Sequence, residues 1–396
     1  MVSAELDHHL SPRHETPLAK KAIEEGPRTG KQETQPDTLE VASEAEADVS
    51  SIGPTWPPQE TSEHRIKGFE VRRIVTDLSQ LQDYKELLAQ AEAGTLGEYI
   101  HRMFNYPAAA KVPEYSRFSF RFLIKTALVR DAVRELGSAV EVVIPLMGSV
   151  NFEDTSMVYI GYNKPERQSD PHDLAVAKEN VKLALESGPR SFETIINRVL
   201  DKGYTLETPT MDARGNDEDL RTQIASLYTR FGKTPEQVHK MLEDQNNILC
   251  IARKGDVIVG AGMAELAAIP IQTERGVVVF RFAELTEAAT LESYARNGVY
   301  TAVCAKEIDE LSQLPPDQQI DMALGECNGK AGGVLSAAHT LGRTFAIQDV
   351  DLYGGDVKGY LPQHVPISGS ERRTANNDLF PAYISHQDIM QFVGKN

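Results

Sequence analysis

The segment Ala289–Val303, ATLESYARNGVYTAV, joins a strand-like run to a helical pattern through the turn Arg296-Asn297-Gly298. The first amides of a helix lack internal partners and carry the positive end of its dipole, so such a turn suits phosphate oxygens. Gly298 permits close backbone approach and positive φ. Residues 296–301 would present successive N–H groups, and Thr301 adds a hydroxyl. The competing reading is a turn that holds no ligand, since Asn-Gly is a common turn dipeptide. A second glycine-rich stretch, NGKAGG at 328–333, lacks the G-x-x-x-x-G-K-[ST] spacing and is excluded as a phosphate loop. Cys250, Cys304 and Cys327 lie far apart in apolar or helical settings. They match neither a disulfide framework nor paired zinc ligands, so buried thiols in a reducing cytosol and no metal are expected.

Composition narrows the partners. A formal net charge of −17 opposes nonspecific binding to nucleic acid. Residues 1–63 hold 13 acidic and 5 basic side chains, with Pro, Ser, Thr and Glu throughout and almost no apolar periodicity. Such a segment cannot bury enough surface to offset its ordering entropy, and residues 1–65 are expected to form a disordered acidic tail. No apolar run reaches the roughly 18 residues of a membrane span, and the N-terminus lacks the apolar stretch of a secretory signal. A cytoplasmic protein without membrane contact is expected.

The elements that must position the turn follow from periodicity. Order is expected from about Ile66–Val75, with helices over 77–92, 95–104 and 123–136, the last ended by Gly137. Ala139–Met147 and Thr155–Tyr162 read as paired strands, and helices over 173–187 and 191–202 flank Gly188-Pro189. Residues 66–202 thus read as an α+β module with no evident catalytic motif. From Gly203 the pattern is a strand, helices over 217–231 and from Thr234-Pro235, and a hairpin around Lys254-Gly255-Asp256. The long strand GVVVFRFAELTEAAT, the Gly298 turn, a helix, the strand DMALGEC, the helix GGVLSAAHTLG and final strands complete it.

That order over residues 203–396 resembles the GNAT superfamily of acyl-CoA N-acyltransferases. The family's loop reads Gln/Arg-x-x-Gly-x-Gly/Ala; here Tyr294 and Gly298 match, Ala295 stands for the leading Arg/Gln, and Tyr300 for the last small residue. Arg296 would supply a cation one position later. The resemblance implies a mixed, mostly antiparallel sheet flanked by helices, with acetyl-CoA or another acyl-CoA as co-substrate. Its pyrophosphate would lie on Arg296, Asn297, Gly298, Val299, Tyr300 and Thr301. Its pantetheine arm would pair with the splayed strand at Ala288, Ala289 and Leu291.

The same resemblance implies a base on the long strand, for which Glu284 and Glu287 are candidates. Alternation puts them on opposite faces unless a bulge intervenes. Each is equally readable as a solvated strand carboxylate. Asn328 with Ala331 fits the family's Asn-x-x-Ala, whereas Leu335 occupies the place of the usual tyrosine acid. His339 is a substitute proton donor or a buried helix histidine. The tail LPQHVPISG, with AELTEAATLESYARNGVY, is similar to a subgroup typified by β-lysine N-acetyltransferase, which implies a small amine or amino-acid acceptor. His364 is then an acceptor-site residue or a structural loop histidine. Lys358, Arg372 and Arg373 are substrate or CoA contacts, or solvated cations.

The expected protein is an N-acetyltransferase acting by direct transfer, with a homodimer as one assembly. The alternatives are a non-catalytic module of the same fold and a longer-chain acyltransferase.

Overall fold

The computed structural model describes residues 61–66, 69–76, 89–103, 115–149, 151–163, 168–230, 233–273, 276–340, 344–354, 357–366 and 376–395. The expected tail to residue 60, most of the 77–92 helix, and Arg372 and Arg373 lie outside them. All described residues belong to one compact unit, Asp48–Asn396.

The strands are β1 (Thr61–Ile66), β2 (Phe69–Thr76), β3 (Tyr115–Lys125), β4 (Val140–Pro145), β5 (Thr155–Asn163), β6 (Thr205–Glu207) and β7 (Asn247–Lys254). They continue with β8 (Val257–Thr273), β9 (Gly276–Thr290), β10 (Met322–Asn328), β11 (Thr344–Phe345), β12 (Leu361–Pro366) and β13 (Asn376–Ser385). The helices are α1 (Leu96–Met103), α2 (Val129–Leu136), α3 (Pro171–Glu186), α4 (Phe192–Leu200), α5 (Met211–Asn216) and α6 (Glu218–Thr229). After them come α7 (Pro235–Glu243), α8 (Val299–Ser312), α9 (Ala331–Thr340), α10 (Val350–Tyr353) and α11 (His386–Phe392).

Two sheets result. The first runs β1-β2-β3-β5-β4, and the second runs β11-β13-β10-β9-β8-β7-β6 with β12 against β13. Antiparallel pairs dominate both; β2–β3 and β9–β10 are the parallel ones. The expected α/β class, a mixed, mostly antiparallel sheet flanked by helices, is the observed one.

Alternation along the second sheet decides what covers each face. Cys250, Ala252, Val259 and Ala283 face helices α3, α4, α8 and α9. On the other face, Leu249, Ile251 and Met263 pack under α6 and α7. Farther along that same face, Phe280, Phe282, Met322 and Leu324 share a core with Phe122, Tyr159 and Ile160 of the first sheet. A polar tie reinforces this contact: Ser149 donates to buried Asp321 at 2.7 Å, and Asp321 accepts the Arg281 amide at 2.9 Å.

Local signals explain most boundaries. Thr234 and Gln237 form a capping box at α7, and Asp170 and Ser191 cap α3 and α4. Gly255-Asp256 closes the β7–β8 hairpin between paired Lys254 and Val257. Several expectations are corrected. The described residues begin at Thr61, and β1 pairs along β2 over Thr61–Ile66, positions expected to belong mostly to the tail. The helix expected over 123–136 begins at Val129: Leu123–Lys125 end β3, which pairs along β5 as far as Lys125–Thr155. The Ile124–Leu128 spacing only mimics a helical stripe. Strand β8 continues through Pro270 to Thr273, where β7 no longer flanks it and a missing amide costs no ladder bond.

Candidate active site

Strands β9 and β10 pair only at Phe282–Met322, Ala283–Ala323 and Glu284–Leu324. Beyond that point β9 runs on to Thr290 and β10 to Asn328 without pairing, so the two strands part and leave a slot. The opposite edge of β9 remains on β8. There the register shifts between Ala261–Ala289 and Met263–Thr286, a bulge that places an extra β9 residue opposite Gly262. Glu287 lies at this bulge, and its side chain is outside the described residues. The Leu291 amide donates to the Val259 carbonyl at 2.9 Å and so turns toward β8. Strand alternation then turns Ala289 the same way and leaves the backbone groups of Ala288 and Thr290 facing the slot. Of the three residues expected along the pantetheine arm, the backbone of Ala288 thus faces the slot, and that of Ala289 and Leu291 faces β8.

The Gly298 turn follows β9 and opens α8, whose first residue, Val299, packs against Gly260 of β8, the partner of Thr290. Gly298 occupies the N-cap of α8 at φ 89°, in the left-handed region, with no side chain capping the helix. Arg296 has φ 63°, the one non-glycine residue at positive φ among the described residues, and such backbone is held at a cost of about 1–3 kcal/mol. Asn297 donates to the Tyr294 carbonyl at 3.3 Å, which braces the turn from within. Val299 is buried beneath it, and the Thr301 hydroxyl accepts from Ser336 at 2.9 Å.

Helix α4 supplies cations that the sequence reading missed. A Cβ on Gly298 would stand 3.6 Å from Cδ and Nε of Arg198. Lys202, just past the end of α4, donates from Nζ to the Asn297 carbonyl at 3.0 Å. Exposed Arg198, Lys202 and Arg296 therefore ring the uncapped amides of α8. That donor set fits a pyrophosphate: amides along a helix start for its oxygens, with guanidinium and ammonium groups for its charge.

Tyr300 turns inward from the first turn of α8. Burial pushes its phenol well above the ordinary value, and the neighbouring Cys304, Cys327 and Glu307 add to the rise. The phenol therefore stays protonated. Asn328 uses its side-chain oxygen on the Lys330 amide at 3.3 Å, a local turn leading into α9.

On the face covered by the first sheet, Glu284 pairs with Arg121 of β3 at 3.7 Å, their side chains 30% and 11% exposed. The guanidinium also lies 5.6 Å from the Tyr159 ring centroid and 5.3 Å from that of Phe282. Burial raises the Tyr159 hydroxyl pKa; Arg121 opposes this, and Glu326 and Glu284 add to it. Glu284 thus faces the first sheet, within charge reach of Tyr159.

The remaining candidates lie apart. His339 is buried, its Nε2 3.2 Å from the Ser187 hydroxyl. Burial pushes its pKa down to about 4, helped by Arg190 and Arg198, so the ring is neutral at pH 7. His364 stands in β12 rather than in a loop, where the β12–β13 register is irregular between Leu361 and Val365. Its side chain is outside the described residues. Lys358, read from sequence as a contact or a solvated cation, pairs at 3.6 Å with Glu141, which is wholly buried. No cluster of His, Cys, Asp and Glu among the described residues could hold a metal ion, and no described helix is long and apolar enough to cross a membrane.

No protein-family model matches the chain, and no curated protein matches it. Solved structures do. An N-acetyltransferase from Staphylococcus aureus Mu50 is 12% identical, over 46% of this chain and 98% of that one, with a TM-score of 0.30. The ribosomal-protein-S18-alanine N-acetyltransferase of Escherichia coli is 10% identical, over 46% of this chain and 93% of that one, with a TM-score of 0.31. A probable N-acyltransferase of Enterococcus faecalis V583 is 10% identical over 31% of this chain, with a TM-score of 0.24, and the match spans only 29% of that structure. These are likenesses of part of the chain; the functional reading rests on the chain's own geometry.

Proposed function

We propose that the chain is an acyl-CoA-dependent N-acyltransferase, with acetyl-CoA as donor and a small amine as acceptor. The observation that supports it most is the parting of a parallel strand pair after Glu284–Leu324, on the strand that leads into a helix capped by Gly298 in the left-handed region. A slot with open backbone edges suits the amide-rich pantetheine arm, and the ringed α8 N-terminus suits the pyrophosphate.

The reaction is direct transfer. The amine nitrogen attacks the thioester carbonyl, the C–N bond forms, and the C–S bond breaks. Glu284 takes the proton that the amine loses, directly or through water. A slot-facing amide of β9 holds the carbonyl oxygen as it gains negative charge. Tyr300, half-buried and protonated near Cys327, returns a proton to the departing thiolate. His339, neutral and bonded to Ser187, serves structure in this scheme.

Calorimetric titration of the whole protein with acetyl-CoA tests the reading. Binding at micromolar to millimolar ligand is expected; no heat at millimolar ligand removes it. If CoA binds, release of free thiol in the presence of amines tests turnover. Binding without release against every amine would leave a non-catalytic module.

A further inference from the structure

Helix α8 is seated on β8 through three side chains of one stripe. Gly260 and Gly262 lie two apart on β8, and both face α8. A Cβ on Gly260 would stand 2.6 Å from Cγ1 of Val299. One on Gly262 would stand 2.9 Å from Cγ1 of Val303 and collide with Oε1 of Glu307. Val299, Val303 and Glu307 follow each other at intervals of four, so the stripe runs about 12 Å along the helix. It starts at the residue after Gly298 and ends at the Glu307 carboxyl. Gly262 lies at the bulge where the β8–β9 register shifts. One carboxyl therefore meets the strand at the bulge and, through the helix, helps set where the first α8 amides stand.

Glu307 is the anomalous member of that stripe. It is 0% exposed, and neither oxygen has a hydrogen-bond partner among the described residues. A buried polar group without a partner costs stability that an apolar side chain of the same size would not. The titratable groups around it are Cys250 of β7, Tyr300 and Cys304 of α8, and Cys327 of β10, all held above their ordinary values by burial and so neutral. Strands β8 and β9 present Gly262, Ala264 and Ala283 to the helix. On α8 itself, Lys306 pairs with Asp309 and Glu310, and Lys395 also reaches Asp309. Arg198 of α4 stands at the Gly298 turn, His339 of α9 on Ser187, and Asp388 of α11 on Ser385. None of these charges offsets the burial of Glu307, which alone raises its pKa.

We propose that Glu307 is a positioning residue for acyl-CoA binding: as a neutral carboxyl it fills the space over Gly262 and seats α8, and as a carboxylate it draws water under the helix and shifts the Gly298 turn. The ligand in this inference rests on the acyl-transfer reading; the seat of α8 does not. A carboxylate cannot stay dry without a partner, and the close fit at Gly262 leaves no room for its hydration unless the helix moves. The sign follows from the raised acid: the native chain keeps the proton, and the seated state, below the folded pKa. Above it the seated fraction falls, and the apparent affinity for a ligand of the α8 amides falls in proportion.

The test titrates acetyl-CoA into the whole protein between about pH 6 and 9.5. The parent is expected to lose at least about threefold in affinity across that range relative to Glu307→Gln, which cannot ionise and should match the parent at the acid end. Hydrogen exchange in the ligand-free parent, corrected for the intrinsic effect of pH, gives a second readout that needs no variant. Protection of the Ala302 amide, which bonds to the Gly298 carbonyl, should fall as pH rises. Protection of α6, on the other face of the sheet, should stay constant. A parallel fall in α6 would mean a general loss of stability and would overturn the inference. Unchanged protection of α8, or an equal fall in affinity in Glu307→Gln, would overturn it too. No acetyl-CoA binding at any pH, with the α8 response present in the parent and absent from Glu307→Gln, would sink acyl transfer and keep the seat. Binding that does not vary with pH would do the reverse.

Discussion

Arg121 on β3 and Glu284 on β9 form an ion pair 3.7 Å long between two different sheets, with the same guanidinium over the rings of Tyr159 and Phe282. The pair ties the amino-terminal half of the chain to the strand that opens the slot. The two partners are not equivalent. Arg121 is nearly buried and also packs on aromatic faces, whereas Glu284 is partly solvated and contributes little as a surface charge. Arg121→Gln is therefore expected to cost about 1–3 kcal/mol in urea denaturation, and Glu284→Gln under about 1 kcal/mol. Equal losses would mean that the ion pair, not the stacking, holds the sheets together here.

The cations beside the Gly298 turn come from α4, and their charge can be reversed without touching the turn itself. Arg198→Glu combined with Lys202→Glu is expected to weaken acetyl-CoA binding at least tenfold at low salt. The difference from the parent protein should shrink as salt screens the site. Unchanged affinity would place the pyrophosphate elsewhere. Gly298→Asp is a poorer probe: its backbone would be strained at φ 89°, and its carboxylate would stand beside Arg198.

What was legible in the sequence was periodicity and capping. Apart from α5, the order from β6 to α9 follows from alternation, Thr234-Pro235, Gly255-Asp256 and the long β9, all local signals. Strand β3 was lost because Ile124 and Leu128 fall four apart and imitate a helix face. Helix α5 was lost because what holds it is distant: buried Arg214 donates to the carbonyls of Leu242, Asp244 and Asn247, at the end of α7 and the start of β7. The site divides in the same way. Gly298 and Glu284 sit in one continuous stretch and could be read together. Arg121, Tyr159, Arg198 and Lys202 could not, since only the packing of the first half of the chain on the second brings them near. Spacing along one strand also cannot say which edge a backbone group faces, which is why Ala289 and Leu291 were grouped with Ala288 although their backbones turn toward β8.

Tyr300 stands one residue into α8, where the related loop pattern has a small side chain. If its phenol returns the proton to the leaving thiolate, Tyr300→Phe keeps the packing and removes only the hydroxyl. A fall in kcat of roughly 10²–10⁴-fold with acetyl-CoA affinity unchanged is expected. A loss of affinity with kcat retained would show that the ring shapes the cradle instead.

His339 offers a pH signature. Its folded pKa of about 4 lies below the ordinary 6.5, so between those values the unfolded chain binds the proton and the native state does not. Stability from this group is complete above about pH 6.5 and is lost as pH falls toward 4, at no more than about 1.4 kcal/mol per pH unit. His339→Gln should remove that acid-side slope in melts from pH 4 to 7. An imidazole signal titrating near 6.5 in the folded protein would refute the buried, neutral assignment.

Glu307 should give the opposite slope. It is wholly buried in α8, neither carboxyl oxygen has a hydrogen-bond partner, and a Cβ on Gly262 would collide with Oε1. Burial raises its pKa well above the ordinary carboxylate value. Above about pH 4.5 the unfolded chain ionises this group while the native state keeps the proton, so stability falls as pH rises toward the folded pKa. Glu307→Gln cannot ionise and is expected to flatten that decline, most clearly in the His339→Gln background, where the opposite slope is removed. The same carboxyl fills the space beside Gly262. Gly262→Ala alone should therefore be strongly destabilising, and Glu307→Ala in the same chain should recover part of the loss. Independent, additive effects of those two substitutions would show that the carboxyl does not press on the β8 backbone at the bulge.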